Sequence, residues 1–253
     1  MKKFLIPILA VFTATAVGWV LHHQYSNAAA QHESITAILV PTVPTPAVSA
    51  TVNSVAADVP PLVTTIIPSQ MQLSVPYTLQ APYNKWDALH EDACEETSLI
   101  MIKHYLNHTP ISSPAQADHE IIDLLTWEQQ HGYGPSISLA QLNQIAKDDY
   151  GMNTGSVVQI NSIDQVKQEI ANTHPVIVGL AGKLLPNPYF SHGGPNYHML
   201  VMTGYDNAGV ITNEPGTWHG DGFHYNYQDF YSAIHDWNST NILNGQKAYL
   251  VFK

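Results

Sequence analysis

The chain is poor in positive charge and almost devoid of cysteine. Nine lysine and arginine residues stand against twenty acidic ones, a formal net charge of −11, and no basic run occurs. Nucleic-acid binding draws mainly on phosphate contacts, so this composition argues against that class of partner. A single cysteine, Cys94, excludes an intrachain disulfide framework. No internal repeat is present. The fourteen histidines do not combine with Cys94 in the paired spacing of zinc sites, and no metal or cofactor is expected. What the chain does have is apolar content, 45% of 253 residues, which is ample for one good-sized domain with accessory segments.

The accessory segments come first. Lys2 and Lys3 precede an apolar stretch from Phe4 to Leu21. Two readings of residues 1–27 stand side by side. One is a signal peptide, with a cut site supplied by Asn27-Ala28-Ala29-Ala30. The other is a membrane anchor, which needs about 20 apolar residues. Either places the rest of the chain outside the cytoplasm, because the lysines stay inside. Residues 28–70 are rich in Pro, Thr, Ala and Val and lack helical or strand periodicity, which predicts a flexible tether. Residues 71–253 then form the globular domain.

Within that domain, periodicity predicts a short strand over 72–79 and a helix beginning near Cys94, with Ser98, Met101, Ile102 and Tyr105 on one face. Asp92 is the expected N-cap of that helix, and Glu95 and Glu96 read as charges of its first turn. Further helices are expected over 114–130, 139–149, 163–171 and 227–237. Apolar strands are expected over 175–180, 198–205, 209–214 and 247–252, with a weaker alternation at 223–227. Asp206-Asn207-Ala208-Gly209 is a hairpin turn signal between two of the strands. Helices first and strands afterwards indicate an α+β fold with a mostly antiparallel sheet.

The candidate chemistry centres on Cys94. At a helix start, backbone N–H groups and the dipole favour a thiolate, while Glu91, Asp92, Glu95 and Glu96 oppose it. A cysteine nucleophile needs a base, a group that orients the base, and an oxyanion donor. His198 opens one strand of the predicted hairpin, and Asn213-Glu214-Pro215 closes its partner. His198 is therefore the predicted neighbour of Asn213 and Glu214, only one of which can face it. His192 is expected to be a solvated loop residue, Trp218-His219-Gly220-Asp221-Gly222 a turn-rich loop, and His90 a flanking residue that does not reach the thiol. His104 lies too far along the helix to reach the thiol.

The order of a glutamine, a cysteine at a helix start, a histidine on a strand and a polar orienting residue resembles the papain-like cysteine peptidases. More narrowly, VPYTLQAP, ACEETSLIMIKHYL and YHMLVMTGYD…GVITNEPGT resemble cysteine peptidase family 39 and its relatives, which include bacteriocin-processing double-glycine peptidase domains. The resemblance spans roughly Gln72 to Phe252. It implies Cys94 as nucleophile, His198 as general base, Gln80 as oxyanion donor and Glu214 as orienting residue, with Asn213 as the rival. Two features depart from the family: NKWDALHED lengthens the interval between Gln80 and Cys94, and glutamate replaces aspartate before the proline. The implied function is a thiol peptidase acting on a peptide or protein substrate outside the cytoplasm, held to the membrane by the N-terminal segment or secreted. A cell-wall peptide amidase or acyltransferase would use the same machinery, and a non-catalytic binding module would keep the fold.

Overall fold

The computed structural model describes residues 67–253, so the apolar segment Phe4–Leu21 and most of the linker lie outside it. Among the described residues no helix is long and apolar enough to cross a membrane.

The chain opens with a two-residue strand, β1 (Met71–Gln72), and then helix α1 (Cys94–Leu106). The expected strand over 72–79 is thus confined to its first residue. Pro76 lacks a ladder donor, and the segment is strapped instead to the loop after Glu214. The Tyr77 hydroxyl donates to Thr217 O (2.5 Å), and Gln80 N donates to Pro215 O (3.0 Å). Helices α2 (Pro114–Gln130), α3 (Leu139–Asp148) and α4 (Ile163–Ala171) follow, with strand β2 (Gly155–Gln159) between the last two. The sheet-forming half contains β3 (Val176–Leu180), β4 (His198–Tyr205), β5 (Val210–Asn213), β6 (Phe223–Tyr225), helix α5 (Tyr227–Ala233) and β7 (Ala248–Phe252).

The strands build one sheet in the order β2-β7-β3-β4-β5-β6, with β1 on the far end of β4. Every pairing is antiparallel. Strands β3, β4, β5 and β7 are buried along their whole length. That matches their unbroken apolar runs, since a strand covered on both faces loses its polar alternation. The fold is α+β.

Helix α1 is the centre of the core rather than a one-faced surface helix. Leu99, Ile100, Met101 and Ile102 are all buried, so apolar side chains point in every direction around it. Each stabilises the fold by ~1.5–3 kcal/mol through burial. The buried hydroxyls are satisfied locally: Thr97 donates to Ala93 O (2.6 Å) and Ser98 to Cys94 O (2.7 Å). The N-cap is Ala93, with no side-chain cap, and not Asp92. Asp92 stays exposed, and Ala93 takes the buried position at the helix entrance.

Interior acids complicate this core. Glu95 and Glu96, expected as helix-start surface charges, are each 1% exposed. Glu96 lies within hydrogen-bond reach of Glu128 from α2. Glu96 Oε2 and Glu128 Oε1 have no other donor. A proton held between the two carboxyls resolves both orphans and removes one buried charge. Burial raises Glu128 from its ordinary value to about 7, and raises Glu96 further with help from the Glu128 charge.

A carboxyl whose folded-state pKa exceeds its unfolded value contributes stability that is fully present below the unfolded value, near 4.5 here. That stability is lost as pH rises through the folded value, about 7 for Glu128. The melting temperature should therefore fall between about pH 5 and about pH 8. Glu128→Gln, which stays neutral, should flatten that fall. A melting temperature that is level or rising over the window in the native protein contradicts the protonated pair.

Candidate active site

The hairpin β4–β5 positions the base. Its turn is closed by Asp206, whose N–H donates to Gly209 O while its carboxylate accepts from Ala208 N and Gly209 N. Next to the turn, Tyr205 pairs with Val210 and Gly204 with Ile211. Extended to the strand end, that register would put His198 on the same face as Asn213. A bulge intervenes between Met202 and Gly204. Beyond it Met202 pairs with Thr212 and Val201 with Asn213. Thr203 is the extra residue, and a one-residue slip reverses which side chains share a face. His198, Leu200 and Met202 thus share a face with Thr212 and, past the strand end, Glu214.

The contacts follow that parity. His198 Nε2 lies 2.5 Å from Glu214 Oε1. With the carboxylate ionised, Nε2 carries the proton and donates it, leaving Nδ1 as the acceptor nitrogen. Asn213 points away, its amide donating to Val75 O (3.0 Å) and Pro76 O (3.4 Å). Glu214 is fully buried and fully partnered. Oε1 also accepts from Gly216 N (2.8 Å), and Oε2 accepts from the Tyr225 hydroxyl (2.9 Å). Tyr225 in turn accepts from Asn187 Nδ2 (2.8 Å). Burial, then the Glu214 charge, raises the Tyr225 hydroxyl well above its ordinary value, so it remains a donor. The close approach of Gly216 N favours glycine. A Cβ there would stand 3.0 Å from Glu214 Oε1 and 3.2 Å from the imidazole. Phe190 packs edge-on against the imidazole, 5.4 Å between centroids.

Cys94 is the first residue of α1, and its side chain is buried near the same cleft. Its thiol donates to Glu95 Oε2 (3.0 Å), and its sulfur accepts from Met199 N (3.3 Å). Burial pushes the thiol well above its ordinary value, and the Glu95 charge and hydrogen bond add to the rise. The Met199 N–H opposes it. Cys94 and His198 line one cleft of about 760 Å3, but among the described residues no hydrogen bond joins them. The Cys94 backbone N–H, first in the helix, also has no acceptor among the described residues.

Gln80 lines the cleft as well. Its amide protons, however, are committed to His90 O (2.8 Å) and Glu91 O (3.0 Å), and its Oε1 is buried without a donor. The oxyanion role that the resemblance implies requires those bonds to be given up. In this structure Gln80 instead braces the long loop before the cysteine. His90 has the same effect from the loop's other side: it bridges Asp87 (2.7 Å) and Asp118 (3.0 Å), tying the loop to α2. It is buried. His104 pairs with Glu120 between α1 and α2, well away from the thiol. The outer cleft carries aromatic side chains: Trp86 from the loop before α1, and Tyr189 and Trp218 from the loops around His198 and Glu214. Trp218 is 70% exposed, more than any other large hydrophobic side chain among the described residues. Sequence reasoning passed over Tyr225 and Asn187. Tyr225 lies in a three-residue strand of weak alternation, and Asn187 lies in a Gly/Pro/Asn-rich loop without a signal of its own.

This geometry separates two neighbours in sequence. Glu214→Ala should lower turnover by about 10-fold or more, on the order of 1.4 kcal/mol. It should also abolish the low-field NMR signal of the His198 Nε2 proton, because the carboxylate that accepts that proton is gone. Asn213→Ala should lower the melting temperature through the lost Val75 and Pro76 contacts and leave that proton signal and the turnover in place. A reversed pattern hands the orienting role to Asn213.

Comparison with known proteins fits this arrangement. No curated protein matches the chain significantly. A solved structure, that of a protein from Bacillus anthracis assigned as C39-like peptidase, superposes with a TM-score of 0.50 at 18% sequence identity. The match covers 74% of this chain and 98% of the other, and it supports the fold. The sequence profile of the Peptidase_C39 like family matches residues 72–242. That match takes in the cysteine helix and the whole His198–Glu214 hairpin, and the chain belongs to the C39-like peptidase family.

Proposed function

We propose that the protein is an extracytoplasmic cysteine peptidase that cleaves peptide bonds through an acyl-enzyme on Cys94. The observation that carries the reading is the buried, fully partnered His198–Glu214 pair beside a cysteine at a helix start. A carboxylate with this many donors has a fixed position, and it fixes the imidazole with Nδ1 as the free base.

In the reaction, Nδ1 of His198 takes the thiol proton and Cys94 Sγ attacks the scissile carbonyl carbon. The carbonyl π electrons move to oxygen, and the free Cys94 N–H at the helix start is the nearest backbone donor for that oxyanion. As the oxyanion collapses, the C–N bond breaks, and the departing amine takes the proton from His198. A thioester remains. Water then attacks the acyl carbon while Nδ1 takes its proton. The S–C bond breaks, and the thiolate recovers the proton from His198. Glu214 stays ionised throughout and stabilises the imidazolium of each half-reaction.

The aromatic side chains of the cleft support a peptide substrate. Trp86, Tyr189 and Trp218 offer apolar wall to side chains on either side of the scissile bond. The extracytoplasmic setting rests on the sequence alone, on the Lys2-Lys3 start, the apolar stretch and the tether. A mixed peptide library incubated with the protein should be cut, and Cys94→Ala should abolish the cutting. Trp218→Ala should raise KM several-fold with little change in kcat, the mark of uniform binding. Cleavage that persists in Cys94→Ala removes the proposal.

A further inference from the structure

The reaction just described uses His198 as the proton acceptor, yet the resting thiol is hydrogen-bonded elsewhere. Cys94 Sγ lies 3.0 Å from Glu95 Oε2. Glu95 is 1% exposed and has one other side-chain partner, Ile137 N at 3.4 Å to Oε1. We infer that Glu95 is the resting proton partner of Cys94: it holds the thiol protonated until the pair loses its shared proton, and so sets the pH at which the nucleophile becomes available. The inference rests on the thiol being the nucleophile.

The physical reason is charge crowding without solvent. A thiolate and a carboxylate 3.0 Å apart in a dry pocket repel each other strongly, so the pair keeps one proton between them. The surroundings do not supply a full counter-charge. From β4 and the residue before it, His198 and the Tyr197 hydroxyl face the pair. Tyr197 donates to Asp236 (3.2 Å). On α1 itself stands Glu96, backed by Glu128 of α2, and Glu91 and Asp92 lie at the cleft mouth. Among these described residues, His198 is the one basic side chain facing the acids, and Glu214 already engages it. Burial raises Glu95 to about 7, while its hydrogen bond from Cys94 works the other way. Glu95 is accordingly a positioning residue that acts through Cys94.

Glu95→Gln removes the charge and supplies a donor that favours the thiolate. The readout is the rate of iodoacetamide alkylation of Cys94 in the native protein as a function of pH, which needs no substrate. The midpoint should drop by at least about one pH unit, giving about tenfold faster alkylation below the native midpoint. An unchanged midpoint overturns the inference. Infrared spectroscopy of the native protein provides a second test that does not depend on the variant folding. A carboxyl carbonyl band should shift when Cys94 is alkylated, and a spectrum that does not respond overturns the inference. Absence of native alkylation at every pH, in both proteins, instead removes the thiol as nucleophile, and with it both this inference and the peptidase reading.

Discussion

The pairing parity of the β4–β5 hairpin governs which side chain meets His198. The turn at Asp206–Gly209 and the first two pairs set one register, and the bulge at Thr203 shifts it. Because strand side chains alternate, that shift exchanges an amide for a carboxylate beside His198. The bulge is held on both sides. Thr203 Oγ1 donates to Ile211 O (3.3 Å), and Thr203 O accepts from Leu73 N (2.8 Å). The next residue has to be small, because a Cβ on Gly204 would stand 2.5 Å from Met71 O. The segment before the cysteine therefore anchors the bulge near its start and braces the loop after Glu214 near its end.

A second constraint is electrostatic. The start of α1 is at once the entrance to the core and the place of Cys94. Packing demands burial there, and burial in turn raises every acidic group nearby: the Cys94 thiol, Glu95 and Glu96. The fold accommodates three such groups on successive residues by sharing protons, Cys94 with Glu95 and Glu96 with Glu128. The same arrangement that keeps the interior neutral holds the thiol in its unreactive form at rest.

Much of this was legible in the sequence. The helices over 114–130 and 163–171 and the strand over 198–205 follow from apolar period, and the hairpin turn from its Asp-Asn-Ala-Gly signal. Other features were not. The helix expected over 227–237 ends at Ala233, because Ile234 pairs with Leu180 and Ala233 O accepts from Ala181 N. Tertiary pairing there outweighs helical period. Strand β2 carries little signal, since its residues are half-buried or exposed on the sheet edge. The choice between Asn213 and Glu214 could not be read locally, because it turns on a one-residue bulge at Thr203, beside Gly204, that apolar period does not place. Glutamates in a first helical turn look alike in sequence whether they face solvent or core, and only the packing of α1 reveals that Glu95 and Glu96 are interior.

In the proposed reaction a seated peptide brings the Cys94 thiol into reaction with His198 as its base. A peptidyl acyloxymethyl ketone library tests it directly, because such reagents alkylate a thiolate efficiently only when held as substrates are. Intact-mass analysis and peptide mapping of the native protein should reveal one adduct, located on Cys94 and formed more slowly in His198→Ala. Labelling of Cys94 only after denaturation, or equal labelling with and without His198, would contradict the account.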